Sequence, residues 1–231
     1  SGTGEGAIRL ATQLARAERP AEGVWLDRSG KALSIAQARA HTRALNNIRF
    51  IQGSISALDT LNLGLFDYID CCGVLHHLPD PTAALQTLER HLAPEGGMGL
   101  MVYAPYGRTG VYMLQDALEK LAPLAHSPQE RLDVARRVMR TLPATAWLRQ
   151  NGNFGDHLSG GDAGLYDLLL NPRDRSYTIT DFLALLDQAG LEPAALMEPA
   201  RYDPALFLPD PRLRARLTTL PWQEQAAIAE D

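Results

Sequence analysis

Gly2-Thr3-Gly4-Glu5-Gly6 opens this 231-residue chain with three alternating glycines, and apolar residues at helical spacing (Ile8, Ala11, Leu14) follow at once. Without a Cβ, a backbone can turn tightly and close on a ligand. A helix starting there points its open amides and positive dipole end at whatever is bound. Asp27 lies about 20 residues beyond the glycines, where α/β nucleotide folds place an acid on the ribose hydroxyls. The adjacent His76 and His77 are imidazole side chains, a residue type suited to general-base work, so either can act as a general base. Tyr103, Tyr106, Arg108 and Tyr112 form a third cluster, aromatic walls with a guanidinium suited to a carboxylate or phosphate.

The elements that would position these groups can be read from the same pattern. The first helix runs to about Ala17 and is stopped by Pro20. Gly23-Val24-Trp25-Leu26-Asp27 reads as a short buried strand that delivers its acid at the carboxyl end. Ser29 caps a helix with Leu33, Ala36 and Ala40 on one face. A strand from Ile48 to Ile51 ends at Gly53-Ser54, and another, Phe66 to Cys72, runs into Gly73-Val74-Leu75-His76-His77-Leu78. Asp80 and Pro81 start the next helix. Pro94-Glu95-Gly96-Gly97 then turns the chain into a strand from Met98 to Tyr103. Strict strand–helix alternation implies a parallel sheet covered by helices on both faces. The chain opens inside the glycine turn, so the strand expected before it contributes no residues.

The alternation stops after Tyr103. Residues 104–172 read as mostly helical, with a capping box at Ser127 to Glu130 and a polar interruption at Asn151-Gly152-Asn153-Phe154-Gly155. A helix from Thr180 ends near Gly190, Ala194 to Glu198 is a candidate strand, and the tail from Pro209 reads as two short helices. The expected organisation is a nucleotide-binding core (1–104), a helical lid inserted over the ligand site (105–175), and a C-terminal helix, edge strand and tail that complete the core (176–231).

Composition excludes several partners. A net charge of −5 argues against nucleic acid. No apolar run is long enough to span a bilayer, and no signal peptide is visible, so no membrane partner is expected. Cys71 and Cys72, the only cysteines, would point to opposite faces of a strand, which disfavours a disulfide or a zinc site. No metal is expected, and a reducing cytoplasm fits.

Read as Gly2-x-Gly4-x-x-Ala7, the opening turn satisfies a dinucleotide fingerprint. Taken together, however, the alternating glycines, Asp27, Gly53-Ser54, the Gly73 to Asp80 turn with Val74-Leu75-His76-His77-Leu78, and Pro94-Glu95-Gly96-Gly97 resemble class I S-adenosylmethionine-dependent methyltransferases of bacterial type. The resemblance covers Ser1 to Tyr103. It implies an α/β, Rossmann-like, doubly wound and mostly parallel sheet of seven strands, the last antiparallel. It also implies S-adenosyl-L-methionine as cofactor and S-adenosyl-L-homocysteine as product.

Carried over by position, Gly2, Thr3 and Gly4 would face the methionyl half. Asp27, with Arg28 beside it, would take the ribose hydroxyls. Ser54 and the amide of Ile55 would serve the adenine, where the family more often has Asp than Ser. Cys72 and Gly73 would offer backbone groups to the ammonium, with His77 under the methionyl chain and His76 nearer the acceptor as the candidate catalytic base.

Acceptor class follows by exclusion. The Asn/Asp-Pro-Pro-Tyr tetrad and the Pro-Cys nucleophile of base-modifying methyltransferases are absent, leaving a small molecule or, second, a protein side chain. Two other functions compete. One is a degenerate, non-catalytic domain that binds a partner. The other is an NAD(P)-dependent oxidoreductase, which would carry a Tyr-x-x-x-Lys signature not found here. The oligomeric state is not legible from the sequence.

Overall fold

The structure is a computed structural model that describes residues 2–17, 21–152 and 155–231. Pro20, expected to stop the first helix, and Asn153 and Phe154 of the expected polar interruption lie outside the described residues. The chain divides into two compact units, Ser1–Val102 with Leu185–Glu192, and Tyr103–Ala184 with Pro193–Asp231.

The first unit is α/β. Helix α1 (Glu5–Arg16) leaves the glycine turn and buries Ile8 and Ala11. Strand β1 (Gly23–Asp27) pairs in parallel with β2 (Ile48–Gln52), in register from Gly23↔Ile48 to Asp27↔Gln52. Between them runs α2 (Gly30–Thr42), which packs on both strands and buries Ala36 and Ala40. Its start is set by Ser29, whose hydroxyl accepts from the Ala32 amide at 3.2 Å. After the short α3 (Leu58–Leu61), strand β3 (Phe66–Cys72) pairs in parallel with β4 (Leu92–Met101). Helix α4 (Pro81–Arg90) connects them, with Asp80 as N-cap and Pro81 at its start, as the sequence predicts.

Three expectations about the sheet are corrected. The last strand begins at Leu92 and ends at Met101 rather than running from Met98 to Tyr103. Leu92 pairs with Phe66, the Ala93–Gly96 stretch loops out, and pairing resumes at Gly97 opposite Tyr68. Pro94 has no N–H to give to the ladder, so the expected turn becomes a bulge inside the strand. The seven-stranded sheet is likewise not formed by the described residues, which supply two parallel pairs, β1–β2 and β3–β4. Ala194 to Glu198 is not a strand. It contains no β-branched or aromatic residue and is flanked by Pro193 and Pro199, neither of which can donate to a ladder.

The second unit is helical: α5 (Val111–Leu121), α6 (Pro128–Thr141), α7 (Trp147–Gln150), α8 (Asp156–Ser159) and α9 (Gly161–Leu169). Helix α10 (Ile179–Gln188) follows, its last residues counted with the first unit, and the tail forms α11 (Pro211–Leu217) and α12 (Trp222–Glu230). The capping box at Ser127 and Glu130 is present. Val111, Leu118, Leu132, Ala135, Leu148, Leu165, Leu168, Leu169 and Leu170 pack into one apolar core.

A buried cation organises that core. Arg131 of α6, 4% exposed, donates through Nε to the Ala122 carbonyl (3.1 Å), through Nη1 to the Leu170 carbonyl (3.1 Å) and through Nη2 to Glu119 (3.0 Å). Ala122 and Leu170 are the C-caps of α5 and α9, so one guanidinium satisfies the orphan carbonyls and the negative dipole ends of two helices. Arg131→Met keeps the aliphatic stem and leaves those carbonyls buried without a donor. The expected loss is about 3 kcal/mol, a fall in melting temperature of about 6–12 °C for a chain of this size. Thermal unfolding followed by circular dichroism checks this, and a change under about 2 °C would contradict it.

Candidate functional site

Within the first unit, the groups singled out from the sequence gather at helix α2 and at the carboxyl ends of the strands. Gly2 and Gly4 take φ of +64° and +78°, the left-handed region that side chains disfavour. Gly4 is the N-cap of α1 and no side chain caps that helix, so its first-turn amides face outward with the positive dipole end. A Cβ on Gly4 would lie 2.7 Å from the Cβ of Ala36. The turn therefore seats directly on α2, and only glycine fits there.

Asp27 sits at the other anchor point of the same helix. Its Oδ1 accepts from the Ser29 amide at 2.8 Å, and Ser29 in turn caps α2. The second carboxylate oxygen has no hydrogen-bond partner among the described residues. From Gly30 to Ala36 the helix rises about 9 Å, so the acid and the glycine turn are held a fixed distance apart along one rigid element. Gln52, which pairs with Asp27 across the sheet, donates to the Arg28 carbonyl at 3.2 Å and pins the chain leaving β1.

The next turn follows β2. Gly53 donates to the Asp27 carbonyl at 2.9 Å. The Ser54 hydroxyl accepts from the Ser56 amide at 3.1 Å and lies 2.6 Å from the Ser56 hydroxyl, starting the short 3₁₀ turn at Ile55. Ser54 is thus already engaged with its own turn, and the Ile55 amide stands beside it.

Beyond β3, Gly73 adopts φ +71° and donates to the Met101 carbonyl at 3.1 Å, closing the carboxyl end of the β3–β4 pair as Gly53 closes that of β1–β2. Cys72 donates its amide to Asp70 at 3.1 Å. Burial pushes the Cys71 thiol up to about 12, and burial together with the Asp70 hydrogen bond pushes Cys72 up to about 11. His76 and His77 lie on the 3₁₀ turn Leu75–His77 with ring centroids 4.2 Å apart, edge to face. His76 is 2% exposed.

Three side chains near the glycine turn have no motif in the sequence. Ala36 is the seat just described. Asp70 lies with one oxygen 3.3 Å from where a Cβ of Gly6 would stand, a carboxylate beside the positive end of α1. Arg39 donates to Thr3. The alternation of small residues at Ala36 and Ala40 on α2 was the one available signal, since it marks a face that permits close approach.

The second unit holds the aromatic cluster. Arg108, 6% exposed, donates to Asp174 at 3.1 Å. Its guanidinium lies 3.7 Å over the Tyr103 ring and 5.7 Å from that of Tyr112. Gln115 donates to the same Asp174 oxygen at 2.9 Å, so the cation expected to meet an acceptor anion is balanced within its own unit. Burial raises Tyr103 and pushes Tyr112 up to about 12, so both hydroxyls stay protonated at neutral pH. Tyr106 is 49% exposed, and the Asp231 carboxylate raises its hydroxyl.

Comparison with known proteins agrees with this architecture. Residues 1–134 match a methyltransferase domain family. The chain is 30% identical over 221 residues to an uncharacterized protein of Synechococcus sp., covering 93% of this chain and 52% of that one. It is 32% identical over 87 residues to the ubiquinone biosynthesis O-methyltransferase of Albidiferax ferrireducens, covering 38% of this chain and 34% of the enzyme. Among solved structures, PKMT2 from Rickettsia typhi in complex with AdoHcy superposes with a TM-score of 0.66 at 16% identity, over 89% of this chain and 41% of that chain. A second PKMT2 structure gives 0.70 at 17%, over 98% and 44%. The chain thus spans about half the length, or less, of these proteins. With a family match over more than half its residues, the chain belongs to the methyltransferase domain family and has the Rossmann-like α/β fold of the class I enzymes, whose cofactor is S-adenosylmethionine.

Proposed function

We propose that the protein transfers a methyl group from S-adenosylmethionine to a hydroxyl or amine of a small molecule, with its α/β unit as the cofactor-binding half. The observation that carries this is the attachment of both Gly4 and Asp27 to helix α2: a turn with no room for a side chain and a carboxylate with one oxygen open. Those residues fit the cofactor. The open α1 terminus and the backbone of Gly2, Thr3 and Gly4 suit its carboxylate end. Asp27, beside Arg28, suits two ribose hydroxyls. Ile55, next to Ser54, would offer its amide to the adenine, while Cys72, Gly73 and His77 would lie along the methionyl chain. When bound, the cofactor supplies an electrophilic methyl on a sulfonium.

The task left to the protein is to align donor and acceptor and to exclude water, an effect worth roughly 7–11 kcal/mol at best. The O-methyltransferase relatives of ubiquinone biosynthesis support a hydroxyl acceptor, which must lose a proton. We assign that proton to His76, buried and stacked edge to face against His77, as the general base. Tyr103, Tyr106, Arg108 and Tyr112 are the proposed acceptor-side residues. Because Asp174 balances Arg108, this wall presents aromatic faces and protonated hydroxyls rather than net charge, which favours a neutral ring over an anion.

No covalent step runs through cysteine in this scheme. With thiols raised to about 11 and 12, Cys72 and Cys71 remain protonated well above neutral pH. At pH 8.5 iodoacetamide should alkylate the native protein roughly tenfold more slowly than free cysteine, as read by mass spectrometry. Alkylation at the free-thiol rate would contradict the protonated state.

The cofactor assignment is checked by calorimetry with S-adenosylhomocysteine. Asp27→Asn keeps an acceptor for the Ser29 amide but removes the charged, two-oxygen acceptor, so affinity should fall about 10- to 100-fold with little change in melting temperature. Equal affinity in wild type and variant would remove Asp27 from the site. Binding of NAD(H) in place of S-adenosylhomocysteine would overturn the proposal.

A further inference from the structure

Gly2 and Gly4 both take left-handed φ, and the Gly4 carbonyl accepts the helical bond from the Ile8 amide. Contacts from α2 hold the turn from outside. Ala36 meets Gly4, and three residues along, on the same helix face, Arg39 reaches over. One terminal nitrogen, Nη1, donates to the Thr3 hydroxyl at 2.6 Å, to the Thr3 carbonyl at 3.3 Å and to the Glu5 carboxylate at 3.3 Å.

The carbonyl contact has a directional consequence. In a planar trans peptide the C=O and the following N–H point in opposite directions. With the Thr3 carbonyl turned toward Arg39, the Gly4 N–H is turned away from it. The Glu5 contact is minor: that pair is exposed, with side chains 40% and 79% accessible, and such pairs contribute little. The two Thr3 contacts are charge-assisted and partly buried, and they carry the effect.

We propose that Arg39 is a positioning residue for cofactor binding, which presets the Gly2-Thr3-Gly4 turn before ligand arrives. This rests on the cofactor site proposed above. Without Arg39 the turn samples other conformations, and binding must order it, which lowers affinity without altering the contacts themselves.

The test uses the full chain with Arg39→Met, Arg39→Lys and Thr3→Val. By calorimetry, Arg39→Met should bind S-adenosylhomocysteine about tenfold more weakly at a melting temperature close to wild type. Arg39→Lys, which restores one cationic donor, should recover part of the loss. Thr3→Val, which keeps the carbonyl contact, should lose less than Arg39→Met.

Hydrogen exchange on the ligand-free protein supplies a readout independent of the cofactor. In Arg39→Met, exchange at the Ile8 amide, which donates to the Gly4 carbonyl, should accelerate while the β3–β4 amides are unchanged. Exchange at the wild-type rate at Ile8 would overturn the clamp. Faster exchange with unchanged affinity would overturn its role in binding. A wild-type protein that fails to bind S-adenosylhomocysteine would overturn the cofactor site and with it the positioning role, while exchange would still decide whether Arg39 holds the turn.

Discussion

Between Gly4 and Ala36 there is no space for another methyl group, since a Cβ on the glycine would fall 2.7 Å from the alanine's own. That steric limit decides where the opening turn lies. It requires glycine at one position and a very small residue at the other, and any larger pair would push α1 off α2 at a cost of about 1–3 kcal/mol. Because α2 packs on both β1 and β2 and its amino end is tied through Ser29 to Asp27, the contact also fixes the turn relative to the acid. The geometry of the proposed cofactor site is therefore a property of one helix and the residues that touch its amino end and its middle.

The helical unit reaches order by a different route. Its apolar core is made of leucines and small residues, which fill space but do not by themselves fix where each helix ends. Buried arginines do that. Arg131 terminates α5 and α9 at their carbonyls, and Arg108 holds Asp174 and the Tyr103 ring together. Each cation is matched by a carboxylate or by backbone carbonyls, the condition under which a buried charge is tolerated.

The legible part of the sequence was the local part. Ser29, Asp80 and the Ser127–Glu130 box announced helix starts because capping is a one-to-three-residue interaction. Asp27 and the glycines announced themselves by chain position. In the sequence the bulge at Pro94 looks like a turn before the strand, because only the pairing partner reveals that Leu92 already belongs to the ladder. Ala194 to Glu198 follows a helix as a strand would, but its composition lacks the β-branched and aromatic residues of one. Arg39 and Asp70 were invisible: Arg39 acts on a residue 36 positions away, and nothing in a single sequence marks so long a contact. Arg108 was visible as a cation, but Asp174, which decides what that cation can do, lies 66 positions on.

The most direct measurement is the structure of the complex with S-adenosylhomocysteine. It should place the ribose hydroxyls about 2.7–3.0 Å from the Asp27 carboxylate, the ligand backbone in contact with Gly4, and α2 unmoved beneath both. A ligand bound elsewhere, or an Asp27 side chain left in solvent while Gly4 contacts nothing, would contradict the account.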